Sequence, residues 1–492
     1  MARGGDSSAG RGSVAIMTTT NSGSGSGGEQ GPVVFVLFGA TGDLAKLLVL
    51  PAFYQLFTEG LLPQDWRLVG NGRGDVAHED FRTHVHDVVV AAGTKPDPAQ
   101  WDDFSQRVFF AGGGFNTDDP GSLLDVVEKA RKSLGGDPQF VHYLAVPPVA
   151  FTELTQALGQ HGLAEGARVV YEKPFGTSKE SFQELDQVVH SVLDEQQVYR
   201  IDHFLGKEGT QDLHLLRFAN GSTASFWDGE HVESVQIDVP ETLDITDRAQ
   251  FYDATGAVLD MLVTHLFQVA AEVAMEPPAS LGALDLQAAR EEVISHFRPL
   301  DPAEVVLGQF DGYRDEAGID PHSTRDTFVA ARLWIDTPRW RGVPFYLRTG
   351  KRLAQSAQRV SLILRDPPGP LSGKLPTAAN VLCFSLAGDG AIDLSVVAKK
   401  PGTGLDLDVA HANIPLATLP DANPLPPYVR LIHDVLTGDR SLFTRPDGLA
   451  AVWDVADPLL SNPPPVKPYA PGSWGPAEAG ELIAPGHWLL GQ

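Results

Sequence analysis

Residues Val33–Phe38 form an unbroken apolar run that leads directly into Gly39-Ala40-Thr41-Gly42-Asp43-Leu44. Beyond that turn, Leu44, Leu47, Leu48 and Leu56 mark a helical apolar pattern. Together these stretches read as strand, tight turn and helix. Further strand-like runs at 66–70, 142–146, 167–172 and 198–201 alternate with polar helical stretches, which implies crossovers and a mostly parallel sheet. After Gly206 the pattern changes to a long amphipathic stretch at 255–275 and strand-like runs at 232–239, 328–336 and 360–366, an α+β half. The expected organisation is a Gly/Ser-rich disordered tail over 1–31, a Rossmann-like dinucleotide-binding α/β domain over 32–205, and a larger α+β domain over 206–492. The Pro-rich segments 418–427 and 463–471 read as surface loops.

Composition narrows the partners. A chain of 492 residues, 42% hydrophobic, can build two or three cores. Its formal charge of −26 repels nucleic acid and anionic membrane surfaces, yet a small anion answers only to the local charge of a cleft, which must then concentrate scarce Lys and Arg. No apolar stretch approaches the ~18 residues of a membrane span; the best candidate, around Met261–Ala271, is interrupted by Thr264, His265 and Gln268 and reads as a core helix. The first thirty residues lack the apolar region of a signal peptide. Cys383 is the one cysteine, so no internal disulfide forms and no metal site is expected.

Five stretches carry chemistry. The glycine turn sits where backbone N–H groups and a helix N-terminus stabilise a pyrophosphate, which points to Gly39, Thr41, Gly42, Asp43 and Leu44 as cofactor contacts. After the second strand, Arg73 suits a 2′-phosphate and hence NADP, while Asp75 keeps NAD open. Glu172-Lys173-Pro174-Phe175 closes a strand at its carboxyl end, where Lys173 reaches substrate and nicotinamide together and Pro174 fixes the backbone, with a cis bond as one option. Asp202, His203 and Lys207 follow a short strand at that same edge. A second cluster pairs Asp260 with His265, where a buried carboxylate would orient the imidazole as a general base.

Taken in order, Arg200–Glu208 with the following Leu216–Asn220, Tyr171–Gly176, Phe251–Gln268, Val305–Tyr313, Trp340–Leu353, Lys399–Gly402 and the closing Gly472–Pro476 resemble the glucose-6-phosphate 1-dehydrogenase family from about Val33 to the C-terminus. The resemblance implies a dinucleotide domain, a larger α+β domain with a mainly antiparallel sheet, and a cytoplasmic homodimer or homotetramer. It implies oxidation of glucose 6-phosphate at C1 to the lactone with reduction of NADP, the first step of the oxidative pentose phosphate pathway. Its residue roles fall on His265 as base and Asp202 as its partner. His203 and Lys207 fall on phosphate and hydroxyl contacts, Lys173 between substrate and cofactor, Glu241 and Asp260 on sugar hydroxyls, and Lys351 on the substrate.

The chain departs from the family pattern in places. Leu47 and Leu48 follow Lys46 where basic residues are common, Phe204 replaces a frequent tyrosine, and Ser356 and Ala357 stand where cations often follow Lys351. Leu386 or Ala387 takes the place of a glutamine, Trp227-Asp228-Gly229 that of Trp-Asn-Arg, and the neighbours of His265 differ. Each lost charge-assisted contact costs about 1.5–3 kcal/mol of binding. These losses motivate a paralogue on the same fold that oxidises another sugar or sugar phosphate, or uses NAD. Alternatives beside it are a non-catalytic ligand-binding or interaction subunit, and a more distant sugar oxidoreductase in which Lys173 of Glu172-Lys173-Pro174 does the proton work.

Overall fold

The computed structural model describes residues 31–245, 248–377 and 379–491; all of the expected tail except Gly31 lies outside them. The first sheet contains β1 (Val33–Phe38), β2 (Trp66–Asn71), β3 (Val108–Ala111), β4 (Gln139–Leu144), β5 (Arg168–Tyr171) and β6 (Val198–Ile201). These six are parallel and lie in the order 6-5-4-1-2-3. Strand order reverses between β1 and β4, and an open sheet leaves a ligand crevice at the carboxyl ends there. The strands are buried because helices cover both faces, which explains the unbroken apolar run of β1.

The second sheet is built from β7 (Val232–Pro240), β8 (Val305–Phe310), β9 (Phe328–Leu333), β10 (Phe345–Gly350), β11 (Arg359–Leu364), β12 (Val381–Ser385), β13 (Ala391–Lys399) and β14 (Leu407–Pro415). The chain then returns to the first sheet. There β15 (Phe443–Thr444) pairs antiparallel with β6, after which β16 (Lys467–Tyr469) joins β8 in the second sheet. The nine-stranded sheet is mainly antiparallel, its parallel pairings being β7–β10 and β8–β16. Beyond the expected boundary at 205/206, the helix Pro427–Thr437 and β15 return to complete the core around the first sheet. Two-residue strands carry no periodicity from which such a return could be read.

A long helix, Ala249–Ala274, connects the halves. It is the one helix among the described residues long and apolar enough to span a membrane, and 94% of its apolar window is buried inside the protein. Gly256 breaks it with φ +65°, and it restarts as a π-helix over Val258–Leu266 before finishing as α over Phe267–Ala274. Asp326 holds the break: its backbone carbonyl accepts from Ala257 N–H (3.0 Å) and its Oδ2 from Val258 N–H (2.7 Å). A Cβ at Gly256 would lie 2.5 Å from Asp326 Oδ1. The i→i+5 spacing of the restarted turn puts Asp260 and His265 on one face, which uniform α geometry would separate. Gly256→Ala is expected to destabilise the protein by about 1–3 kcal/mol, read as a lower denaturation midpoint.

Candidate active site

The site forms where the carboxyl ends of β5 and β6 meet the π turn. His265 Nδ1 lies 2.6 Å from Asp202 Oδ1, with both side chains fully buried. Asp202 Oδ1 also accepts from Phe204 N–H (2.9 Å), so the carboxylate is the acceptor and Nδ1 carries the proton. The imidazole lone pair then sits on Nε2, which has no partner among the described residues. Phe204 stacks on the imidazole with ring centroids 4.7 Å apart, and His203 meets it edge-on at 4.5 Å. Burial, aided by the charges of Lys173 and Lys207, holds the proton affinity of His265 well below the usual range. Burial also pushes Asp202 up to about 6, against the pull of His203, the Phe204 N–H and Lys173. At neutral pH the pair is a neutral imidazole beside a carboxylate, the resting state of a general base.

Lys173 extends from the end of β5, and its Nζ donates to Asp260 Oδ1 (2.9 Å). Burial alone would raise Asp260, but the charge and hydrogen bond of Lys173, with Lys351 behind them, hold it down to about 2. This corrects the reading that Asp260 orients the imidazole. Asp260 is engaged by Lys173, and the orienting carboxylate is Asp202 from the loop after β6. Lys351 ends β10 and Glu241 follows its parallel neighbour β7, so their side chains meet as an ion pair. The backbone of Lys351 is clamped as well: its N–H donates to the Thr327 carbonyl (2.9 Å) and its carbonyl accepts from the Tyr469 hydroxyl (2.7 Å). Lys207 Nζ stands 4.9 Å above the Phe204 ring, and burial lowers its proton affinity.

Asp202, His203 and His265 each bring one potential ligand atom within 4.8 Å of the others. No metal was expected from the sequence, and the Nδ1 of His265 is already committed to Asp202, so the cluster is described by proton transfer.

Gly39 turns at φ +73° against the end of β4, where a Cβ would lie 2.4 Å from the Ala145 carbonyl. The backbone thus packs closely against the end of β4 at the point where strand order reverses, which puts Thr41, Gly42, Asp43 and Leu44 in the turn that would cradle a pyrophosphate. Arg73, from the loop after β2, is exposed and has no hydrogen bond or ion pair among the described residues, so its guanidinium is available to a phosphate. The residues fit a dinucleotide. Leu47 and Leu48 are exposed beside this turn, so the replacement of basic residues there is not compensated in place.

Sequence reasoning missed Tyr428 and the role of Glu172. The Glu172 carboxyl, raised by burial, accepts from Tyr143 Oη (2.5 Å) and Tyr428 Oη (3.4 Å). The Tyr428 ring also stacks toward His203 at 6.2 Å. Tyr428 is 256 positions from Glu172, and no spacing signal links them.

A dinucleotide crevice facing a buried carboxylate–imidazole base, with lysines between them, defines a nicotinamide-dependent dehydrogenase acting on a hydroxyl. The sequence models of the glucose-6-phosphate dehydrogenase NAD-binding domain and C-terminal domain match residues 36–212 and 214–488. The chain belongs to the glucose-6-phosphate dehydrogenase family. It is 34% identical to the glucose-6-phosphate 1-dehydrogenase of Treponema pallidum, covering 93% of this chain and 94% of that one. It is 36% identical to glucose-6-phosphate 1-dehydrogenase 2 of Mycobacterium tuberculosis, covering 92% and 93%. The crystal structure of the Mycobacterium avium enzyme superposes with a TM-score of 0.82 at 34% identity, over 93% of this chain and 98% of that one. A glucose-6-phosphate dehydrogenase in complex with glucose 6-phosphate superposes at 0.87 with 29% identity, over 94% and 99%.

The dyad is expected to take up one proton as pH falls through about 6. Carboxyl-carbon nuclear magnetic resonance should show Asp202 titrating through that range, while the imidazole of His265, held well below its usual range by burial, stays bare on Nε2.

Proposed function

We propose that this chain oxidises D-glucose 6-phosphate at C1 to 6-phosphoglucono-1,5-lactone with NADP as the coenzyme. The observation that carries this reading is the bare Nε2 of a neutral imidazole whose other nitrogen is fixed by a buried carboxylate. His265 takes the C1 hydroxyl proton on Nε2 as the C1–H bond breaks, and the C1–O bond becomes a carbonyl, so no alkoxide accumulates. Bound in the crevice, the nicotinamide supplies the hydride acceptor. Asp202 stabilises the imidazolium that forms. Asp260, held anionic by Lys173, and Glu241, paired with Lys351, accept from sugar hydroxyls, while Lys207 and His203 hold the phosphate. Lys173 sits between sugar and coenzyme and fixes their approach.

Arg73 supports NADP over NAD, and Asp75 leaves NAD as a slower alternative. A second copy of this chain is the natural cover for the outer edge of the nine-stranded sheet, where the β13–β14 hairpin exposes Leu394, Val396 and Ile414. A single cysteine, buried and unpaired, suits a reducing cytoplasm.

The deciding assay offers glucose 6-phosphate, glucose and galactose 6-phosphate, each with NADP and NAD, and follows reduced-nicotinamide absorbance. Turnover confined to glucose 6-phosphate supports the proposal, and none at millimolar concentration removes it. His265→Asn is expected to lower kcat by ~10²–10⁴ with KM little changed; an unchanged rate would show that another group is the base. Arg73→Ala is expected to weaken NADP by roughly tenfold or more and NAD far less, measured by coenzyme titration.

A further inference from the structure

Beside the dyad lies a cavity of about 20 Å³ lined by Asp202, Thr264, Thr444, Phe175, Leu449 and Trp453, with His265 not among its lining residues. Two polar atoms in its wall are buried and have no hydrogen-bond partner among the described residues: Asp202 Oδ2 and Thr444 Oγ1. Their proximity follows from strand register. Thr444 of β15 stands opposite Arg200 of β6, and Asp202 lies two residues beyond Arg200, so the two side chains are diagonal neighbours on one face of the sheet. A third polar group, Thr264 Oγ1, donates to the Leu259 carbonyl (2.7 Å) and keeps an acceptor lone pair toward the same space. An orphaned carboxylate oxygen at full burial is costly, and a space of this size accommodates one water.

We propose that a single buried water bridges Thr444 Oγ1 and Asp202 Oδ2, making Thr444 a positioning residue of the catalytic dyad. The water accepts from the Thr444 hydroxyl, donates one hydrogen to Asp202 Oδ2 and the other to Thr264 Oγ1, giving the three bonds typical of an interior water. Asp202 then receives hydrogen bonds on both oxygens: Oδ1 from His265 and Phe204, Oδ2 from the water. This second donor favours the charged carboxylate and keeps it ionised beside the neutral imidazole. The other titratable and charged groups around the pair are Asp260 on the π turn, Lys173 after β5, His203 and Lys207 on the loop after β6, Arg290 from the helix Ala283–Ile294, and Tyr428. Thr444→Val leaves all of them in place.

The inference rests on the dyad acting as the base proposed above, and the test separates the two. The pH dependence of kcat/KM for glucose 6-phosphate is compared among the wild-type chain, Thr444→Val and Thr444→Ser. Loss of the bridge is expected to raise the acid limb by about one pH unit in Thr444→Val, and Thr444→Ser is expected to restore it. Superimposable limbs in all three overturn the proposal. A crystal structure of the full-length wild-type chain that orders its interior waters reads the site without turnover. Density within hydrogen-bond distance of both oxygens supports the bridge, and none there overturns it even if Thr444→Val fails to fold. If the wild type shows no turnover of glucose 6-phosphate, the functional reading fails while the crystallographic result still decides the water.

Discussion

The hydrogen bond between Asp202 and His265 is the constraint around which the two halves are assembled. Asp202 comes from the loop after the last parallel strand of the first sheet and His265 from the long helix that follows β7 of the second, 63 positions apart. Burying a carboxylate and an imidazole is unfavourable for each alone, because either charge loses its hydration. Held 2.6 Å apart, they satisfy one another, and Phe204 seals the imidazole face. The same burial that would make an isolated group a liability keeps His265 neutral and ready to accept a proton.

That contact requires the long helix to arrive in one orientation. Gly256 supplies the break, Asp326 caps the restart, and the π turn carries Asp260 and His265 to one face. Lys173 then holds the same turn from the other side through Asp260. A lysine ion pair this deeply buried is weak as a source of stability, since desolvation offsets most of the attraction. Its effect is positional: it ties the end of β5 to the helix, so Lys173 and the His265 base keep a set separation.

Most of the first sheet was legible from the sequence because its strands are continuous apolar runs with turn residues at their ends; β1, β2, β5 and β6 fall within a residue or two of the expected spans. β3, only four residues long, was not seen, nor were β13 and β14, whose outer face is exposed and so lacks a strong apolar signal. The glycine turn, Lys173 and the cluster at Asp202 were readable as chemistry because each sits at a strand end. The pairing of Asp202 with His265 came from family resemblance, and the local reading chose Asp260, the nearer carboxylate along the chain. Tyr428, Thr444 and Tyr469 approach the site only through long-range packing, as in the contact of Tyr469 with Lys351 across 118 positions, and their spacing carries no trace of it.

The thinning of basic residues bears on which lysine is left to meet a phosphate in the proposed reaction. Of the lysines at the sugar end, Lys173 is paired with Asp260 and Lys351 with Glu241, whereas Lys207 has no carboxylate partner among the described residues and lies over the Phe204 ring. Ser356 cannot replace a cation, since its hydroxyl is engaged by Thr242. Leu386 is fully buried in the core, so it offers no polar contact where the family places a glutamine. In a chain of net charge −26, an unpaired buried ammonium is a strong local attractor for a dianion, because its low-dielectric surroundings screen it little. In the proposed reaction this places the phosphate end of the sugar at Lys207 and His203 and the opposite end of the ring at His265, and specificity would rest on that end-to-end placement.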